Sequence, residues 1–185
     1  MKKIIIPNTN FKCSKFIFGT GSLLNILSKK KRLNLLDSAV DKNFSHFDTS
    51  PYYGFGLAEN NLGEILKKKP DLTVTTKVGL YPPGNSNQSF FQMMARKSLG
   101  KFFSFLNKPN IDFSIKNANK SLEESLKRLR RECVDILLIH EPIEQLINSD
   151  EWKTWFDKMI KEGKIRNYGL SSLSASRLEK CFLKD

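Results

Sequence analysis

Acidic residues, cysteine, histidine and long apolar runs are all scarce in this chain of 185 residues. The three cysteines, Cys13, Cys133 and Cys181, form no CxxC pair and no ligand cluster, which argues against a disulfide framework or a metal site. An odd thiol count without a signal peptide points to a reducing cytoplasm. The opening Met1-Lys2-Lys3-Ile4-Ile5-Ile6 is charged and then apolar, but Pro7-Asn8-Thr9-Asn10 ends the run too early for a secretory leader. No segment approaches the roughly 20 apolar residues of a membrane span, so no membrane partner is expected. With 19 acids against 31 Lys and Arg, the formal charge is +12, an excess that favours polyanions or phosphorylated cofactors. The cations are dispersed, however, over Lys29-Lys30-Lys31-Arg32, Lys67-Lys68-Lys69, Lys127-Arg128-Arg130-Arg131 and Lys161. Most sit late in expected helices, where they complement the helix dipole. Solvated helix ends are the plain reading, and no specific nucleic-acid binding is expected.

What the chain does contain is a regular alternation. Phe16-Ile17-Phe18 reads as a short strand running into the turn Gly19-Thr20-Gly21. Leu33, Leu36 and Val40 fall at helical spacing, and 44–47 reads as a second strand. Ala58, Leu62, Ile65 and Leu66 mark a helix, and 72–77 a third strand. Ile115, Ala118, Leu122, Leu126 and Leu129 mark another helix, with Ser114 as its N-cap. The near-continuous apolar run 134–139 predicts a strand covered on both faces. Trp152, Trp155, Phe156, Met159 and Ile160 form the next helix face, 165–170 a fifth strand and 174–183 a last helix. These βα units predict an α/β fold, a parallel sheet with right-handed crossovers, in one domain spanning 1–185.

One connection, 80–114, is too long for an ordinary βα loop. It opens with Leu80-Tyr81-Pro82-Pro83-Gly84-Asn85-Ser86-Asn87, a turn or open loop, and then mixes phenylalanines with basic residues. Its expected role is an insertion that packs on the sheet rim or closes over its mouth as a lid.

Four polar residues close strands or lie just after one: Asp48, Tyr53, Lys77 and His140. Singly, each has a plain explanation: a wet strand-end lysine, an edge tyrosine, a hydrogen-bonded histidine. Together, at successive sites where parallel strands open to solvent, they describe an active site at the C-terminal face of a β/α barrel. An acid, a phenol, an amine and an imidazole suit proton transfer to a carbonyl. His46, inside a strand pattern, reads as core.

The wider motifs carry a resemblance. The run from Phe47-Asp48-Thr49-Ser50 through Tyr53-Gly54, with Glu59 and Leu62-Gly63, resembles the second-strand motif of the aldo-keto reductases. Thr76-Lys77-Val78-Gly79 is similar to their third-strand motif. The segment 121–129 followed by Val134-Asp135 and His140 is similar to their third helix and fourth strand, and 162–172 to the approach to their fifth strand. That resemblance implies a partial (β/α)8 TIM barrel of about five units, with 80–114 inserted after the third strand. It implies Tyr53 as general acid/base, Lys77 as the ammonium that favours the phenolate, Asp48 as the partner of Lys77, and His140 as the residue that orients the substrate carbonyl. Tyr52 is the rival to Tyr53; the family places its tyrosine directly before glycine. The hydride would come from NADP(H) or NAD(H), with Thr20, Asp48, Ser171 and Ser172 lining the nicotinamide pocket. Ser172 stands where the family commonly has asparagine, and Arg130 where it commonly has a helix-ending glycine, which predicts a less regular cap. The spacing around Asp112-Phe113-Ser114 points to the aldose-dehydrogenase branch, hence to a small carbonyl or sugar substrate.

A complete barrel of this type takes eight βα units and typically ~250 residues. The resemblance therefore describes a truncated barrel whose exposed sheet edges favour self-association and whose grip on a dinucleotide is weak. A non-catalytic remnant or interaction module of the same fold remains the second reading.

Overall fold

A computed structural model of the chain describes residues 1–7, 9, 11–83, 91–92, 94–95, 108–143 and 150–182. Its first element has no counterpart in the sequence reading: β1 (Lys3–Ile5) pairs antiparallel with β2 (Lys12–Ser14), Lys3 opposite Ser14. All three residues of β1 are exposed, so no alternating pattern announces it. The hairpin is fastened to the start of the second barrel strand. Ser14 N–H donates to Ser45 Oγ at 2.9 Å, Ser45 N–H donates to Ser14 Oγ at 3.0 Å, and the Phe11 ring meets the His46 ring edge-on at 5.2 Å.

The βα units follow in order: β3 (Phe18–Gly19), α1 (Lys29–Asp41), β4 (His46–Asp48), α2 (Leu57–Lys68) and β5 (Thr73–Val78). A small antiparallel pair, β6 (Leu80–Tyr81) with β7 (Asn110–Ile111), comes next, then α3 (Ile115–Leu129), β8 (Val134–His140), α4 (Asp150–Lys161), β9 (Ile165–Ser171) and α5 (Ala175–Phe182). Each main strand pairs in parallel with the next one, giving the sheet order β3-β4-β5-β8-β9. A parallel sheet in which spatial order follows chain order is the wall of a β/α barrel, five strands of it here.

The first main strand is shorter and later than the apolar run suggests, because Phe16 and Ile17 are 63% and 49% exposed and only Phe18 and Gly19 pair. Similarly, β4 begins at His46 rather than 44. The start of the long connection is also a strand rather than an open loop, since Leu80 lies opposite Ile111 and Tyr81 opposite Asn110. The stretch between these strands, where a lid is expected, lies largely outside the described residues.

Helix termini obey local chemistry. Ser28 caps α1 through Lys31 N–H, and Ser114 caps α3 through Asn117 N–H. The end of α3 corrects an expectation: Arg130 itself takes the left-handed conformation, at φ 55° and ψ 44°. The N–H groups of Arg130 and Arg131 return to the carbonyls of Lys127 and Leu126, so the cap is a regular Schellman turn made by a strained non-glycine residue.

Leu36 and Ala39 from α1, Leu62, Ile65 and Leu66 from α2, Leu122 and Leu129 from α3, and the Trp152-Trp155-Phe156-Met159 face of α4 join Phe47, Val74, Leu137 and Ile139 of the sheet in one core. Each such large apolar side chain contributes about 1.5–3 kcal/mol by leaving water. Between α2 and α3 the backbones nearly touch: a Cβ on Gly63 would overlap the Arg128 carbonyl oxygen and lie 3.0 Å from the Leu129 carbonyl carbon.

The cations are not all solvated helix ends. Lys29 to Arg32 occupy the first turn of α1, against its dipole, and Arg32 is buried, donating to the carbonyls of Ile26 and Leu27 and to Asn61 Oδ1. Arg128 is buried in an ion pair with Glu59 at 2.7 Å, and Glu59 in turn accepts from Thr76 Oγ1 at 2.6 Å. Arg131 donates to the carbonyls of Lys69, Pro70 and Leu72, stitching the α2–β5 connection to α3. These arginines satisfy backbone carbonyls between elements and one buried carboxylate. Among the described residues, no helix is long and apolar enough to cross a membrane.

Candidate active site

Strand alternation decides which side chains meet. In β4, Phe47 turns to the helices while His46 and Asp48 turn to the opposite face; in β5, Thr76 meets Glu59 of α2 while Thr75 and Lys77 turn away. In β8, Leu137 and Ile139 join the core, and His140 belongs to the other set. Two polar layers result on the inner face. The lower layer is His46, wholly buried, with Nδ1 2.8 Å from Thr73 Oγ1 and Nε2 2.7 Å from Thr75 Oγ1. Burial pushes its pKa down to about 4, so it packs as a neutral core imidazole.

The upper layer contains the four residues expected to do chemistry. The Lys77 ammonium, 3% exposed, donates to both carboxylate oxygens of Asp48 at 2.6 and 2.7 Å and to the Thr49 carbonyl at 2.9 Å. It also donates to Tyr53 Oη at 3.3 Å and lies 4.8 Å from the centre of that ring. The Tyr53 ring stands edge-on to the His140 imidazole, centroids 6.0 Å apart at 89°. Asp48, Lys77, Tyr53 and His140 therefore form one cluster. Tyr52 instead turns its ring to Phe55, at 6.5 Å.

Tyr53 reaches Lys77 because the chain after β4 turns sharply. Its N–H donates to the Ser50 carbonyl at 3.0 Å, and Gly54 follows at φ +58°, where a Cβ would overlap Leu24. Only glycine fits there, which gives the Tyr-Gly pair of the motif a steric reason.

Burial, and secondarily the Lys77 charge, lower the His140 pKa to about 4, partly offset by Glu141. The imidazole is neutral near pH 7 and has a single N–H to offer.

Of the residues expected around a nicotinamide, Thr20 is wholly buried and commits both its N–H and its hydroxyl to the Asp48 carbonyl, at 2.9 and 3.0 Å. It holds β3 to β4 behind Asp48. Ser171 closes β9 directly opposite His140. The Ser172 hydroxyl donates to Glu141 Oε2 at 2.8 Å, and Glu141, itself at φ 54°, also accepts from Leu173 N–H at 2.6 Å and from Arg177 at 2.7 Å. Sequence reasoning missed Glu141, whose carboxylate organises the loop after β9. Its position directly after a strand-closing histidine was the available signal. A cavity of about 670 Å³ opens beside it, lined by Leu80, Phe113, Pro142, Ile143, Ser174 and Arg177 among others. Among the described residues no three His, Cys, Asp or Glu side chains are grouped to hold a metal ion.

The donor set fits the reacting end of a nicotinamide-dependent carbonyl reaction: a phenol with an ammonium behind it, a neutral imidazole beside it, and half-buried Ser171 on the neighbouring strand end.

A model of the Aldo/keto reductase family matches residues 15–185. The chain is 30% identical over 179 residues to L-galactose dehydrogenase of Arabidopsis thaliana, covering 91% of this chain and 47% of that protein. It is 26% identical to D-threo-aldose 1-dehydrogenase of a Pseudomonas species, covering 85% of this chain and 49% of that protein. Among solved structures, an aldo-keto reductase from Bacillus halodurans in its holo form superposes with a TM-score of 0.76 at 24% identity, over 97% of this chain and 53% of that one. The glycerol dehydrogenase of Gluconobacter oxydans gives 0.71 at 28% identity, over 97% and 51%. The chain spans about half the length of the curated relatives it matches.

Proposed function

The chain belongs to the aldo/keto reductase family, and from that premise we propose that it carries the proton-transfer site of an NAD(P)-dependent oxidoreductase interconverting a carbonyl and an alcohol on a small aldehyde or sugar. The observation that carries this reading is the contact of Lys77 Nζ with Tyr53 Oη at 3.3 Å, backed by the bidentate Asp48 carboxylate.

The ammonium donates into the phenol oxygen, so the phenol's own proton points elsewhere and is available to a substrate oxygen. As that proton leaves, negative charge develops on Oη, and an ammonium already aimed at it stabilises the charge without reorganising. Asp48 fixes the ammonium and leaves it little freedom to swing away. In the oxidative direction the same oxygen takes the alcohol proton. His140, being neutral, donates one hydrogen bond to the substrate oxygen and orients it toward Tyr53. A bound nicotinamide would supply or accept the hydride, which no side chain can do, with Ser171 and the strand ends around Asp48 holding its reacting end. A sugar substrate is supported by the two dehydrogenases of sugars among the relatives. The hydroxyls and the Glu141–Arg177 pair around the neighbouring cavity suit a polyol.

The test is a panel of aldoses and small aldehydes offered with each of NAD⁺, NADP⁺, NADH and NADPH, followed at 340 nm. Turnover with a sugar or aldehyde supports the proposal, and a folded chain inert across the panel counts against it.

A further inference from the structure

We propose that Ser50 is a positioning residue: its hydroxyl fixes the His140 imidazole in the tautomer that carries its proton on Nε2, leaving that N–H to meet the substrate oxygen. The role assigned to Nε2–H rests on the functional reading above; the tautomer assignment does not.

Ser50 is wholly buried on the turn after β4. Its Oγ accepts the Tyr52 N–H at 3.2 Å and lies 3.4 Å from His140 Nδ1, across 90 residues of sequence. A hydroxyl has one proton to give, and a buried one without an acceptor is costly. Among the hydrogen bonds of the described residues, His140 Nδ1 is the acceptor within reach of that proton. Were Nδ1 protonated instead, Ser50 Oγ would face two donors, Tyr52 N–H and Nδ1–H, and its own proton would have no partner. The arrangement is satisfied only with Nδ1 bare, so the single proton of the neutral ring sits on Nε2. The reverse tautomer would turn a lone pair toward the carbonyl oxygen and repel it.

The chain's other histidine provides a built-in contrast. Thr73 Oγ1 gives its proton to the Ser45 carbonyl at 2.9 Å, so it can only accept from His46 Nδ1 at 2.8 Å. His46 Nε2 then accepts from Thr75 Oγ1 at 2.7 Å. The two histidines thus hold opposite tautomers, each set by a hydroxyl whose bonding capacity is already part-used.

With ¹⁵N-labelled histidine, long-range ¹H–¹⁵N correlation at pH 7 reads both tautomers directly. The expected spectrum shows His140 protonated on Nε2 and His46 on Nδ1. Replacing Ser50→Ala moves His140 toward a mixture and leaves His46 as it was, whereas Ser50→Thr, which keeps the hydroxyl, preserves the wild-type pattern. In turnover assays Ser50→Ala lowers kcat about five- to tenfold, and Ser50→Thr restores it. Nδ1–H on His140 in the wild-type chain, or an unaltered His140 spectrum in Ser50→Ala, would overturn the proposal. The wild-type spectrum decides even if a variant fails to fold. An inactive wild type that still shows Nε2–H would overturn the functional reading while supporting the tautomer assignment.

Discussion

Acid should weaken this chain through its two histidines. Both imidazoles have pKa values lowered from 6.5 to about 4, His46 by burial and His140 by burial and then the Lys77 charge. In the unfolded chain each binds a proton near pH 6.5, while the folded chain refuses it down to about pH 4. Between those limits the unfolded state holds more protons, so stability is full above pH 6.5 and falls as the pH drops through the window. For His46, wholly buried and bonded on both nitrogens, a shift of that size corresponds to about 3 kcal/mol across the window. That is a large share of the roughly 5–15 kcal/mol that holds a domain together. Urea unfolding followed by the fluorescence of Trp152 and Trp155, at steps from pH 7.5 to 4, gives the curve. A His46→Gln variant isolates the contribution, since every other ionisable group is common to both proteins. The variant should lose less stability than wild type over that range, by about 3 kcal/mol. Parallel pH profiles, or a His46 ring proton titrating near 6.5 by NMR, would refute the reasoning.

Three further outcomes follow from named contacts. Gly63→Ala should destabilise by about 1–3 kcal/mol, seen as a lower urea midpoint, because its Cβ has no room against the Arg128 carbonyl. Arg130→Gly should raise stability by roughly 1 kcal/mol in the same assay, relieving a left-handed non-glycine cap while keeping its hydrogen bonds. Lys77→Met should abolish turnover and also lower the melting temperature, by about 2–4 kcal/mol of lost stability, since the Asp48 carboxylate is left with an apolar neighbour.

The order of elements was legible in the chain because strands of a parallel sheet read as apolar runs, and 134–139 is such a run, although its inner-face Ile136 and Leu138 are only half-buried. The residues of the polar cluster were legible one at a time, as strand-closing polar positions. So was their convergence, since parallel strands open at one face; the turn that carries Tyr53 to Lys77, which Gly54 permits, was not. The N-terminal hairpin escaped notice because Lys3 to Ile5 are all exposed and carry no alternation. Arg32, Arg128 and Arg131 looked like solvent-facing charge; only the carbonyls and carboxylate that packing brings to them reveal their structural use. Ser50 stood in the sequence only as one member of the second-strand motif, its partner being 90 positions away.

The account rests most heavily on the phenol held against Lys77. Replacing Tyr53→Phe removes one oxygen from a half-buried ring and leaves its packing beside His140 in place. The measurement is kcat for that variant on whichever sugar or aldehyde the wild-type chain turns over, with thermal melting as the control for folding. The account predicts a loss of at least about 100-fold at unchanged melting temperature. A variant that turns over as fast as wild type would contradict it.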